Sequence, residues 1–142
     1  MATLQLYNHT AQRFASGANS PSDIYRVKLL SAGTFDATNT TLAETGGTEV
    51  ANGNGYITGG QALAGVAVTT VTTNDAKFDA DDVTWAVSAA SITALAAVLY
   101  NDTDTDDPPV AFINFGGSRT VSSGSNFVLN WNADGIFIWT VT

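Results

Sequence analysis

Phe127-Val128-Leu129-Asn130-Trp131-Asn132-Ala133-Asp134-Gly135-Ile136-Phe137-Ile138-Trp139 sets two short apolar runs on either side of a four-residue turn signal. The same punctuation recurs upstream. Residues 76–85, 97–102 and 110–117 are strand-length runs with little but turn chemistry between them. Aromatic and β-branched runs bounded by Asn, Asp and Gly read as strands. The spacing predicts a hairpin of 127–131 with 136–141, turned at Asn132-Ala133-Asp134-Gly135, and a second of 97–100 with 110–115 around an acidic loop. Strands this short and this close predict an all-β fold, a single-domain antiparallel β-sandwich or jelly-roll-like architecture, rather than a parallel α/β sheet.

Working outward, Ile24-Tyr25-Arg26-Val27-Lys28-Leu29-Leu30 alternates apolar and basic residues, as a half-buried antiparallel strand does. Residues 63–73 are rich in β-branched side chains and predict another strand, followed by short ones at 76–78 and 83–87. Residues 88–96 fit strand or helix, and 118–125 read as a polar turn region. Residues 3–8 and 10–15 read as a strand and its extension, with Leu4 and Leu6 on one face. Asn39-Thr40-Thr41-Leu42-Ala43-Glu44, stopped by Gly46-Gly47, is the one place a helix fits, so at most one short helix is expected, near 39–45. The chain divides into residues 1–20, an N-terminal strand and candidate arm, and residues 21–142, the β-sandwich domain. Candidate core residues include Leu6, Tyr25, Val27, Leu29, Tyr56, Val68, Phe78, Trp85, Val98, Phe112, Phe127, Trp131, Phe137 and Trp139.

Composition supports this reading and narrows the function. At 142 residues and 44% hydrophobic, the chain forms one domain with a sizeable core. Its formal net charge is −8, and of its basic residues only Arg26 and Lys28 are near neighbours, so no nucleic-acid partner is expected. There is no cysteine, hence no disulfide and no thiolate metal site. Met1-Ala2-Thr3-Leu4-Gln5 lacks the charged and apolar regions of a signal peptide, and no apolar run approaches about 18 residues, so no membrane partner is expected.

No catalytic constellation stands out. His9 is the only histidine, and no serine sits in a Gly-x-Ser-x-Gly context, so a nucleophilic triad lacks its parts and His9 is expected in a surface or hydrogen-bonding role. Asp102, Asp104 and Asp106 alternate in the acidic loop as calcium ligands do and are the candidate metal set. Against calcium, Asp107 holds the position where such loops need Gly, Ile113 the position where they need Glu, and Pro108-Pro109 intervene. The expected state is therefore a solvated hairpin loop with no metal and no cofactor. Asp79, Asp81 and Asp82 form a smaller cluster. Trp85, Trp131 and Trp139 could stack on sugars, but core or interface positions suit them better.

Glu49-Val50-Ala51-Asn52-Gly53-Asn54-Gly55-Tyr56, Gly59-Gly60 and Phe78-Asp79-Ala80-Asp81-Asp82-Val83-Thr84-Trp85 resemble a family of small virion structural proteins of tailed bacteriophages. Ala97-Val98-Leu99-Tyr100, Ile113-Asn114-Phe115-Gly116-Gly117 and Trp131-Asn132-Ala133-Asp134-Gly135-Ile136 extend the likeness over residues 25 to 140. The resemblance implies a non-enzymatic structural role in the virion after assembly in the host cytoplasm. It carries over no catalytic residues. Compactness and acidity favour a capsid decoration or cement protein. Such a protein binds the outer head surface and the major capsid protein, usually as a closed homo-oligomer, trimer or dimer. The alternatives are a tail, neck or fibre-associated subunit, or a carbohydrate-binding β-sandwich module.

Overall fold

The computed structural model describes residues 2–72 and 74–141. Eleven strands and one helix follow in order: β1 (Thr3–Leu6), α1 (Thr10–Ala15), β2 (Tyr25–Ala32), β3 (Thr48–Glu49), β4 (Gln61–Ala62), β5 (Ala67–Thr72), β6 (Asp75–Asp79), β7 (Val83–Ala86), β8 (Ile92–Asn101), β9 (Pro109–Val121), β10 (Asn126–Leu129) and β11 (Phe137–Trp139). All pairings are antiparallel. The expected all-β sandwich is what the chain forms.

The first sheet has the order β1-β9-β8-β2-β3, with β4 also on β2. Packed against it are two smaller sheets, β10-β7 and β11-β6-β5, which together make a second layer in which β6 and β7 run in succession beside β11 and β10. The core between the layers includes Tyr25, Val27, Leu29, Phe78, Trp85, Leu99, Ile113, Phe127 and Phe137. A second, smaller cluster of Tyr7, Leu30, Ala96, Val98 and Phe112 lies on the other face of the first sheet, packed against Phe35 and Leu42. Both faces of β8 are therefore covered, and its sequence accordingly runs apolar from Ala94 to Tyr100 instead of alternating.

The hairpin predicted around the acidic loop is β8–β9. The one predicted at 127–141 is not formed. Instead β10 pairs with β7 (Phe127 opposite Trp85, Leu129 opposite Val83) and β11 pairs with β6 (Phe137 opposite Phe78). Between Leu129 and Phe137 the chain advances eight positions while the facing strand advances five, from Val83 to Phe78. Asn132-Ala133-Asp134-Gly135 does turn, with the Gly135 N–H donating to the Asn132 carbonyl at 2.8 Å and Gly135 at φ 108°. It loops extra residues out of a strand without reversing it. The reason is burial: this pairing places Phe127, Leu129 and Phe137 in the core beside Trp85 and Phe78.

Other expectations are also corrected. The polar segment 118–125 is extended as far as Val121 within β9 and turns only after it. Residues 88–96 become strand from Ile92 onward. The strand expected over 63–73 runs as β5 over Ala67–Thr72, and Thr73 lies outside the described residues. Leu6 is 38% exposed and Val68 40%, both on edge strands, and Trp131 and Trp139 are only partly buried.

The helix is not near 39–45 but at Thr10–Ala15. Thr41 and Glu44 do form a reciprocal capping box: the Thr41 N–H donates to Glu44 Oε2 (3.1 Å) and the Glu44 N–H to Thr41 Oγ1 (3.3 Å). Gly46 (φ 57°) and Gly47 (φ 78°) follow immediately, and only a turn results. Six residues at 10–15 cannot hold a helix alone. Tertiary contacts hold it: Thr10 Oγ1 donates to the Val110 carbonyl (2.8 Å), and Phe14 packs edge-on against Phe78, Phe137 and Trp139 at centroid distances of 5.1, 5.6 and 5.2 Å. Of residues 1–20, expected as an N-terminal strand and candidate arm, those from Thr3 onward pack on the rest of this same chain. β1 pairs with β9, Tyr7 and Asn19 are buried, and α1 closes one end of the core.

All four tyrosines are buried, and burial is the largest cause raising each ionisation. Tyr7, also facing Asp36, and Tyr100 are pushed up to about 12, and Tyr25 and Tyr56 further still. A phenol neutral in the fold and ionised near 10 when unfolded contributes stability that is complete below pH 10 and lost as pH rises through 12. Each rise from 10 to about 12 corresponds to roughly 3 kcal/mol. Tyrosinate absorbance at 295 nm should therefore appear together with loss of the far-ultraviolet β signal, between about pH 10 and 12. Ionisation near pH 10 with the β signal intact would contradict this burial.

Candidate functional site

The residues that could carry chemistry are tied into the fold. The His9 Nε2–H donates to the Pro109 carbonyl at 2.7 Å and, with Thr10, fastens α1 to the start of β9. The hydrogen-bonding role expected for it is the one it fills.

In the acidic loop, Asp104 pairs with the Arg13 guanidinium, whose hydrogen bond, followed by that of the Thr105 N–H, holds its carboxyl below the usual range. Arg13 Nε also donates to Asn19 Oδ1 (3.1 Å), and the buried Asn101 amide donates to Asn19 Oδ1 (3.0 Å) and Asp23 Oδ2 (2.9 Å). The Asp102 N–H donates to the Ile24 carbonyl (2.8 Å). Asp106 and Asp107 occupy left-handed backbone conformations (φ 65° and 47°), and burial, then the charges of Asp102 and Asp106, pushes the Asp107 carboxyl up. Asp102, Asp104 and Asp106 are thus not gathered about a common centre. Among the described residues no group of three or more His, Cys, Asp or Glu side chains stands positioned for a metal.

The second acidic cluster is likewise committed. Asp79 pairs with Lys77 at 2.9 Å, and Asp82 Oδ1 accepts from the Trp131 N–H at 2.8 Å. Trp131 Nε1 donates to the Asp81 carbonyl (3.1 Å), Trp85 is buried, and Trp139 packs on Phe14 and Phe137. Glu49 Oε1 accepts from the Tyr56 hydroxyl (2.7 Å) and the Gly59 N–H (2.6 Å), which locks the 50–60 loop onto β3.

What remains is a surface feature that sequence reading missed. On one side of the sandwich the first sheet ends at β1 and the second at β10 and β11. Among the described residues β1 pairs only with β9, β10 only with β7, and β11 only with β6. The gap between these edges holds two adjoining depressions, about 440 and about 550 Å³, that share Ala2, Leu129 and Asn130. Phe115, Phe127, Ile113 and Ile136 form much of the lining, and Val128 (43% exposed) and Ile138 (41%) add outward apolar side chains. Arg119 lies in one depression and Asp134 in the other, and residues 120–133 contain no charge at all.

A seam of this kind offers unpaired backbone N–H and C=O groups beside apolar pockets. It can take an added extended segment, with backbone hydrogen bonds giving affinity and the pockets selecting alternate side chains. In the sequence Phe127-Val128-Leu129 is an unbroken apolar run, which does not say which of its side chains faces outward or what lies opposite. No protein-family model, no curated protein and no solved structure matches this chain.

Proposed function

We propose that the chain is a structural protein of a tailed-bacteriophage virion, acting without catalysis as a decoration or cement protein on the outer head surface. The observation that carries the proposal furthest is the open seam. Its two sheet edges and largely apolar lining, with one charged residue in each depression, suit completion by an extended segment of a neighbouring major capsid subunit. The sequence resemblance supplies the virion context. Repetition over many identical copies lets modest contacts add up to a reinforced shell. His9, Asp79, Asp82 and Asp104 each bind another part of the fold, which suits a scaffold more than a reaction centre.

The test is the copy number of the chain in purified particles, measured by quantitative mass spectrometry against the major capsid protein. A simple fraction of the capsid-subunit count is expected. A handful of copies would move the protein to the tail or neck. Absence from particles, with binding on a glycan array, would favour the carbohydrate-binding alternative. With occupancy established, the double variant Val128→Asp, Ile138→Asp should lose saturable shell binding while keeping its β signal, because both side chains already face solvent. Undiminished binding would remove the seam from the account.

A further inference from the structure

The opposite side of the second layer ends in β5, Ala67-Val68-Thr69-Thr70-Val71-Thr72, which among the described residues pairs with β6 alone. Every residue from Val68 to Thr72 is exposed, including Val68 at 40% and Val71 at 39%. Sheet edges in soluble proteins are usually blunted by charge, proline or extreme shortness. This one is six residues long with neither proline nor charge, and its one irregularity, a register shift against β6, falls at its end between Thr70 and Thr72. Among the described residues the other free edges lie in the seam, as β1, β10 and β11 do, or are shorter, as β3 and β4 at two residues and the outer edge of β7 at four are.

We propose that β5 is the contact by which two copies of this chain join, edge to edge and antiparallel, into one continuous sheet with the order β11-β6-β5-β5-β6-β11. Charge argues for a second copy as the occupant. Each chain carries −8, so two copies repel wherever acidic surface meets acidic surface. Residues 50–74 hold no Asp, Glu, Lys or Arg, and β5 lies within them. One strand in, Lys77 stands opposite Thr69 and is neutralised by Asp79 at 2.9 Å. Apart from Asp75 at the strand's end, the edge is thus electrically neutral two strands deep, which suits self-contact better than it suits a charged partner.

Geometry then fixes the symmetry. Antiparallel pairing of identical strands places the two-fold axis normal to the sheet, and each face of the sheet maps onto itself. Residues that meet must therefore share a face. An axis beside Thr69 sets Thr69 opposite its own counterpart and Val68 opposite Thr70 of the partner subunit. Val68 stands in register with Phe78, which stands in register with Phe137, so its exposed side is the free end of an otherwise buried row. Six residues a side make a small interface, so the dimer is expected to dissociate on dilution. The seam stays open on the far side of each copy, and such a dimer presents two of them.

Sedimentation velocity over roughly a hundredfold range of concentration tests this, on wild-type protein and on Thr69→Lys and Thr69→Glu. Wild-type protein should pass reversibly from monomer to dimer. Each variant alone places like charges opposite each other at the axis and should associate about tenfold more weakly or less. An equimolar mixture of the two variants should regain dimer, which no misfolded variant could do. Wild-type protein that stays monomeric throughout, or variants that dimerise unchanged, would overturn the proposal. So would variants that lose shell binding with their self-association intact, since β5 would then belong to the shell. Because dimerisation is read on isolated protein, its failure is separable from failure of the virion reading.

Discussion

Gly60→Ala is expected to destabilise the fold by about 4 kcal/mol or more, a large share of the total stability of a domain this size. Gly60 sits at φ +76°, and a Cβ there would lie 1.8 Å from the Val27 carbonyl oxygen, 2.5 Å from its carbon and 2.7 Å from Lys28 Cα. All three are backbone atoms of β2, which cannot retreat because β8 pairs along its other edge from Tyr25 to Leu30. The Gly60 carbonyl also accepts from Arg26 Nη2 at 2.8 Å, and the Gly60 N–H donates to Ile57. Gly124 is the control. It has φ +86° with nothing within 4 Å of the added atom, so Gly124→Ala should cost only about 1–2 kcal/mol of left-handed strain. Urea unfolding followed by tryptophan fluorescence measures both. Equal losses would mean that conformation rather than the β2 clash governs Gly60.

Phe78→Ala should cost about 3–5 kcal/mol, with the urea slope unchanged. Phe78 is fully buried and lies within 5.2 Å, centroid to centroid, of Phe14, Tyr25 and Phe137. Those rings come from α1, β2 and β11, so one deletion opens a cavity where the helix and both layers meet. Rigid strand backbones on two sides leave little room for collapse, which puts the cost in the upper part of the range for large-to-small substitutions. Phe78→Leu keeps most of the volume and should recover more than half of the loss. A loss below about 1 kcal/mol for Phe78→Ala would mean the cluster repacks freely, against the tight geometry described.

These two positions also show what kind of information a sequence carries. Tyr25, Val27 and Leu29 are legible as one buried face because alternation along a strand is a local property, and all three are buried. The β8–β9 hairpin is legible for the same reason, since its strands are neighbours in the chain joined by an acidic, proline-stopped loop. The Gly59-Gly60 pair reads as a turn, but that Gly60 must be glycine because β2 passes beside it is a fact about residues more than thirty positions apart.

The misreadings share that origin. Asn132-Ala133-Asp134-Gly135 announces a bend, yet whether a bend reverses a strand or merely bulges it depends on which strand lies alongside, and here β6 and β7 do. Residues 10–15 form a helix because Phe14 finds an aromatic pocket assembled from β2, β6 and β11, while Thr41 and Glu44 build a helix start that the next two glycines end.

The amino-acid order was therefore sufficient for the fold class, the β8–β9 hairpin and the core face of β2, because each follows from residue type and near-neighbour spacing. The pairing of β10 with β7, the docking of the N-terminal segment, the dispersal of the acidic loop's carboxylates and the open seam beside β1 required the folded chain. Each is a choice among long-range contacts, and the sum of buried apolar area and satisfied backbone hydrogen bonds, which no local pattern contains, makes that choice.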